Sequence, residues 1–114
     1  MPIIYKILPA AMWEKARKDG VFRGSEVDLR DGFIHFSTAS QAVETAAKHF
    51  SGQRDLILLY VDTASLDAAL KWEPSRGGAL FPHLYGDLAL AAVTQAVPLP
   101  LGPDGAHQFP TLND

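Results

Sequence analysis

Cysteine is missing from the 114 residues. That absence removes disulfides, thiolate nucleophiles and every cysteine-ligated zinc or iron–sulfur centre from consideration. Long apolar runs are missing too, since none approaches the ~20 residues of a membrane span. The opening Met1-Pro2-Ile3-Ile4-Tyr5-Lys6 lacks the basic-then-apolar layout of a secretory signal, so a cytoplasmic location with no membrane partner is expected. There is no excess of basic residues either: ten Lys and Arg face thirteen Asp and Glu, a net charge of −3. Strong non-specific binding to nucleic acid is therefore not expected. Glycine-rich nucleotide fingerprints are lacking, because Gly77-Gly78 follows no clear strand and opens no helix. No Gly-x-Ser-x-Gly elbow occurs. The histidines, at 35, 49, 83 and 107, show neither a HExxH motif nor i, i+4 ligand spacing, so no metal is expected.

What the chain does contain is a composition suited to one globular domain spanning residues 1–114, with 47% hydrophobic and 20% charged residues. At this length roughly two-thirds of the unfolded surface can be buried, enough for one modest core without a staple. Ile3–Leu8 reads as a strand with Tyr5 and Ile7 on one face and Ile4, Lys6 and Leu8 on the other. Pro9 suits a first helical turn. Met12, Trp13 and Ala16 give that helix an apolar side, and Gly20 sits where a C-terminal cap is wanted. Val21–Arg30 reads as a polar loop, and Phe33–Ser37 as a strand.

Ala39, Ala42, Val43, Ala46, Ala47 and Phe50 then fall at the spacing of one buried helical stripe. Thr38 and Gln41 have capping-box spacing, and Glu44 to Lys48 is a favourable i, i+4 pair. The small alanines predict close packing against a sheet. Asp55–Asp62 is a continuous apolar run closed by aspartates, as in a central strand covered on both faces. Thr63 is placed to cap a short turn, Lys71-Trp72-Glu73 to form a brief strand, and Pro74–Gly78 to form a mobile loop. Pro82 marks Leu80–Gly86 as an edge strand or loop. Ala91–Val97 is a further strand candidate, and the proline-bearing tail from Pro98 is expected to wrap the surface.

His35 is the first candidate for chemistry. A histidine on an apolar strand is either a packed ring satisfied by backbone or a ring that hydrogen-bonds a ligand, for example at a ribose hydroxyl. Ser37 lies two residues on, hence on the same side of the strand, with Phe33 beside them. His83 and Tyr85 share a face by the same spacing. Arg23, Arg30 and Arg76 occupy predicted loops, where a guanidinium can clamp a phosphate bidentately. Convergence of His35, His83 and Tyr85 on one open cleft would separate a site from scattered packed rings.

Ile4-Tyr5-Lys6-Ile7, Trp13, Gly32-Phe33-Ile34-His35-Phe36-Ser37 and Phe81-Pro82-His83-Leu84-Tyr85-Gly86 resemble the signature blocks of the DUF952 family across nearly the whole chain. That family in turn resembles the ADP-ribosyltransferase superfamily, most nearly its RNA 2′-phosphotransferase branch. There, a first strand ending in Tyr-His-Gly-Thr precedes a helix and a second strand reading His-Leu-Ser. The resemblance implies an α+β split fold of small, mostly antiparallel sheets with two to three helices. NAD, ADP-ribose or a related nucleotide would be gripped in a cleft between the sheets.

His35, His83 and Tyr85 would be the catalytic candidates. Lys6, Ser37, Arg23, Arg30 and Arg76 would hold the cofactor. Lys6 stands where the superfamily's first-strand histidine contacts the ribose, and Glu73 and Asp87 are the candidates for the carboxylate that mono-ADP-ribosyltransferases use. The alternative is a binding module that keeps the fold without the transfer chemistry. A histidine-supported hydrolase would require a carboxylate within hydrogen-bond reach of a histidine.

Overall fold

The computed structural model describes residues 2–75 and 78–112; Arg76, one of the expected phosphate ligands, lies outside them. Its architecture follows from alternation along two long strands. β1 (Ile3–Pro9) and β4 (Leu56–Asp62) pair antiparallel, with Lys6 opposite Leu59, and β8 (Val93–Leu99) completes the sheet on the other edge of β4. Ile4, Leu8, Leu59 and Val61 project into one core cluster. Tyr5, Ile7, Leu56 and Leu58 project into a second. β4 is thus a central strand buried on both faces, as its unbroken apolar run predicts.

Helix α1 (Ala10–Asp19) brings Met12, Trp13 and Ala16 to the first cluster and ends at Gly20, whose φ of 79° is the left-handed C-cap geometry. Pro9 precedes this helix as its extended N-cap and does not enter the first turn. Helix α3 (Ala39–His49) covers the opposite face, with Ala42 and Ala46 in the second cluster. Its Thr38–Gln41 capping box forms, and Lys48 and Glu44 approach to 3.2 Å. The buried stripe is narrower than the sequence implied: Val43 and Ala47 are exposed. Only the Ala39, Ala42, Ala46, Phe50 line meets the sheet.

Regular structure forms at residues 21–22 and 26–31, correcting the loop expected over Val21–Arg30; residues 23–25 alone of that stretch stay irregular. Val21–Phe22 (β2) pairs with Leu88–Ala89 (β7), and Glu26–Asp31 forms a short helix, α2. Ser25 and Asp28 make a capping box. Val27 and Leu29 are exposed, so α2 carries no apolar stripe and hydrophobic periodicity cannot reveal it. The cap can.

β3 (Ile34–His35), β6 (Leu80–Leu84) and β5 (Leu70–Pro74) form the other three-stranded sheet, with β6 in the middle. Pro82 is therefore buried in a central strand and not at an edge. Its carbonyl accepts from the Phe36 N–H at 3.0 Å. The missing Pro82 N–H thus faces the same side, past the end of β3, and forfeits at most one ladder bond. Two further details differ from expectation. Asp62, not Thr63, caps the 3-10 turn after β4. Ala91 and Ala92 belong to a 3-10 turn before β8. In the tail, Leu101 pairs with His107, while Phe109 and Leu112 pack on the second cluster. Among the described residues no helix is long and apolar enough to cross a membrane.

The two three-stranded sheets meet at one residue pair. Tyr5 and Ser37 exchange both backbone hydrogen bonds, at 2.8 and 2.9 Å, as an isolated bridge. Beside this junction lies a cleft of about 700 Å³.

Candidate functional site

β3 and β6 set the centre of the cleft. Because the Phe36 N–H bonds Pro82, the adjacent His35–His83 pair is of the non-hydrogen-bonded kind, whose side chains stand closer. The two imidazole centroids are 5.5 Å apart. Phe33 lies against both, stacked on His83 at 4.1 Å and tilted to His35 at 4.6 Å, with the Tyr85 ring 5.2 Å away. His35 and His83 both line the cleft, whereas Tyr85 joins their ring cluster without lining it. The approach of the two histidines depends on the central position of β6 and not on an exposed edge.

In a non-hydrogen-bonded pair, the His35 N–H points away from β6, and it finds Asp28 of α2 (Oδ1, 3.2 Å). The same oxygen sits 2.7 Å from His35 Nδ1. Lys6 Nζ donates to both oxygens of Asp28, at 3.1 and 3.0 Å, and the Ser25 N–H donates to Oδ2 at 2.8 Å. Asp28 therefore ties β1, the start of α2 and β3 together through one buried carboxylate, 2% exposed beside a 7% exposed Lys6. Gly24 makes room for it: a Cβ there would lie 2.9 Å from that of Asp28, at a φ of 120°.

Burial by itself would raise the Asp28 carboxyl. The His35 hydrogen bond, the Lys6 charge and the Ser25 N–H outweigh it and hold the group well below the usual carboxylate range. Burial also pulls the Lys6 ammonium down from the lysine range, against the opposing attraction of Asp28. Phe22 lies under that ammonium, 6.0 Å from Nζ to the ring centroid.

On its other side His35 meets Asp31, with Oδ2 3.0 Å from Nε2. The two carboxylates differ in freedom. Asp28 is locked, whereas Asp31 is 34% exposed at the end of α2 and shares the cleft mouth with Arg30, whose Nε lies 3.2 Å from Asp31 Oδ1. Were Asp31 to leave Nε2, Asp28 would still hold Nδ1. That arrangement fixes the ring as an oriented donor or acceptor.

A second carboxylate–histidine pair faces the first. Glu73 on β5 places Oε1 2.8 Å from His83 Nδ1 and accepts from the Tyr85 hydroxyl at 2.7 Å. Those bonds, that of Tyr85 foremost and then that of His83, lower the Glu73 carboxyl. In return, the bond to Glu73 raises the Tyr85 phenol. Lys71 lies 5.8 Å over the Tyr85 ring. Of the two sequence candidates for a carboxylate, neither lines the cleft; Glu73 belongs to this cluster through His83 and Tyr85, while Asp87 sits exposed after β6.

The remaining expected ligands divide. Lys6, Ser37 and Arg30 line the cleft. Ser37 Oγ is 3.0 Å from Thr45 Oγ1 on α3. Arg23 does not line it, because its guanidinium turns back to Asp19 at 3.2 Å, on the surface beyond α1. Sequence reasoning missed Asp28 and Asp31. The Ser25-x-x-Asp28 spacing was the available signal, since a capping box at 25–28 makes a helix of the segment and points the Asp28 side chain inward.

A family model described as a protein of unknown function, DUF952, matches residues 7–96. The chain belongs to the DUF952 family. Three experimental structures of protein CC0527 from Caulobacter crescentus share its architecture. A crystal structure has 55% identity over 93% of each chain with a TM-score of 0.90. A V27M/L66M double mutant has 53% identity over 93% of each chain with a TM-score of 0.89. A solution NMR structure has 55% identity over 95% of this chain and 93% of the other, with a TM-score of 0.86. Among curated proteins, none matches the chain. The α+β arrangement with small antiparallel sheets and three helices is thus shared by this DUF952 chain and CC0527.

Proposed function

We propose that the cleft between the two three-stranded sheets binds a small molecule, with His35 as its principal hydrogen-bonding and proton-transfer group and His83 as the second. The observation that carries this reading is that each ring is oriented by a carboxylate, Asp28 for His35 and Glu73 for His83. Both rings also meet across one aromatic platform, Phe33. Structural histidines are commonly satisfied by backbone. Paired, carboxylate-oriented histidines lining an open cavity of about 700 Å³ match the pattern of small-molecule sites, which are concave and carry a few convergent polar groups.

The resemblance to the ADP-ribosyltransferase superfamily supplies the first ligand class: NAD, ADP-ribose or a related nucleotide. Support for this class is the split arrangement of the sheets and the placement of His35 and Ser37 on one side of the cleft, where a ribose diol could meet an imidazole and a hydroxyl. A second reading, a binding module without transfer chemistry, is favoured by the state of Lys6. Both of its hydrogen bonds go to Asp28, leaving it committed to the fold.

Calorimetric titration with NAD and ADP-ribose tests the proposal. Binding at or below about millimolar Kd, weakened at least about tenfold in a folded His35→Gln variant, is the expected result; tenfold corresponds to about 1.4 kcal/mol. Saturable binding unaffected by loss of His35, or no binding to the folded protein, would refute it. Incubation of the bound NAD complex, followed by assay for released nicotinamide, separates the transferase reading from the binding module.

A further inference from the structure

We infer that the free edge of β5 is a self-association surface. Two copies of the chain pair antiparallel through β5 about a two-fold axis at Trp72, and Lys71 of each copy meets Glu73 of the other.

Antiparallel alternation tells which strand edges are open. Each three-stranded sheet has two. On β1 the outward groups of Tyr5 bond Ser37, and on β3 the outward N–H of His35 bonds Asp28. Because Tyr5 gives those groups to Ser37, its pair with Tyr60 is of the non-hydrogen-bonded kind, and counting along β4 makes the Ile57–Pro98 pair non-hydrogen-bonded too. Pro98 therefore turns its missing N–H outward, and the β8 pairing is also irregular at Tyr60/Val61. Prolines and bulges both blunt an edge. On β5 the count starts from the non-hydrogen-bonded His35–His83 pair. His83 directs its backbone groups to Lys71, so Trp72, opposite Pro82, directs its N–H and C=O outward. Among the described residues neither group meets a backbone partner. The Trp72 residue is 45% exposed, and Leu80, on the same face of the sheet, is 52% exposed.

Charge selects the occupant and the register. Lys71 and Glu73 flank Trp72 and share the opposite face of the strand. A two-fold axis at Lys71 or at Glu73 sets like charges against each other, and one at Leu70 sets Glu73 opposite Asp67. An axis at Pro74 lacks the N–H that an axial pair exchanges. With the axis at Trp72, the two Trp72 residues exchange N–H···O=C bonds, and Lys71 stands opposite Glu73 twice, in non-hydrogen-bonded pairs whose side chains are closest. Pro74 then lies opposite Leu70 and forfeits one bond at each end.

The groups are in place for this pairing. Lys71 Nζ lies 5.8 Å over the Tyr85 ring. Among the described residues both side-chain hydrogen bonds of Glu73 fall on Oε1, so Oε2 is open to the second copy's lysine. The cluster of Glu73, His83 and Tyr85 thus gains a cation from the other copy, and the three strands of each sheet continue into those of the second. A contact of one five-residue strand per copy is shorter than a standard stable interface, so the dimer is a weak one.

Sedimentation velocity of the intact chain from about 10 μM to about 1 mM tests this. Lys71→Glu and Trp72→Ala are run beside wild type; both positions are exposed, and circular dichroism checks that each variant is folded. Wild type is expected to show a reversible monomer–dimer equilibrium with a Kd below about 1 mM, weakened by added salt. Lys71→Glu sets carboxylates across both pairs and is expected to raise Kd at least about tenfold. Trp72→Ala is expected to raise it at least about threefold. A wild type that stays monomeric at about 1 mM, or a dimer whose Kd changes by less than about threefold in folded Lys71→Glu, overturns the inference.

Discussion

Replacing Asp28 by asparagine tests the packing logic that holds the site. The carboxylate accepts five hydrogen bonds: two from Lys6, two from His35 through its amide and Nδ1, and one from the Ser25 N–H. An asparagine amide must point its NH2 at one side or the other. On the Oδ2 side it confronts Lys6 and Ser25; on the Oδ1 side it confronts Lys6 and both His35 donors. At least two contacts therefore become donor against donor, and the buried Lys6 ammonium loses its counter-charge.

Removing one partner of a buried, hydrogen-bonded ion pair costs about 3–5 kcal/mol, a large part of the ~5–15 kcal/mol total stability of a small domain. At about 4 °C per kcal/mol for a chain of this size, Tm is expected to fall by about 12–20 °C. Lys6→Met removes two of the five bonds but leaves the carboxylate with three N–H donors and keeps the apolar stem, so it should cost less, about 1–3 kcal/mol. Urea unfolding of both variants and of the double variant measures this directly. The double variant should cost at least about 1 kcal/mol less than the sum of the singles. An Asp28→Asn variant within about 1 kcal/mol of wild type, or a Lys6→Met variant that is the worse of the two, would refute the reasoning.

Other consequences follow from the same contacts. Because the folded-state Asp28 carboxyl is held below its ordinary range, its contribution is present above the unfolded carboxylate pKa, about 4. It is lost as pH falls toward the depressed folded value. The stability gap between wild type and Asp28→Asn should therefore narrow in acid-unfolding curves below about pH 4 and stay constant from pH 5 to 7. Glu73→Gln should lower the raised Tyr85 phenol toward the ordinary tyrosine value, read from the Tyr85 Cζ resonance during alkaline titration; an unchanged titration would contradict the Glu73–Tyr85 bond. Gly24→Ala combines a left-handed φ with a Cβ 2.9 Å from Asp28 Cβ, and should destabilise by more than about 1 kcal/mol while shifting the His35 ring resonances. Ser25→Ala, which loses the α2 cap, should cost about 1 kcal/mol by urea unfolding.

The long, double-sided elements were legible in the sequence: β1 and β4 by apolar alternation and length, α1 by its terminal glycine, α3 by Thr38 and Gln41. What escaped was held by other forces. α2 is fixed by a capping box and one buried carboxylate and shows no apolar period. β2 and β7 are two residues each, too short for a pattern to form. Pro82 pointed to an edge because the rule concerns a lost N–H, and here that N–H faces the gap past the end of the two-residue β3. Of the site, His35 with Ser37 and His83 with Tyr85 were recognisable as candidates by their two-residue spacing in extended segments, Arg30 by its place among polar residues, and Lys6 through the family resemblance. Their orienting carboxylates were not, because Asp28 and Asp31 reach His35 from a segment that reads as polar loop. Arg23 looked free in sequence and is claimed by Asp19, an ion pair that only the turn after α1 creates.

The central claim is that His35 and His83 serve one ligand in one cleft. Imidazole resonances of both rings, followed together during titration with ADP-ribose, test it most directly. Both rings are expected to shift and to half-saturate at the same ADP-ribose concentration. A response confined to one ring, or two responses with different midpoints, would contradict it.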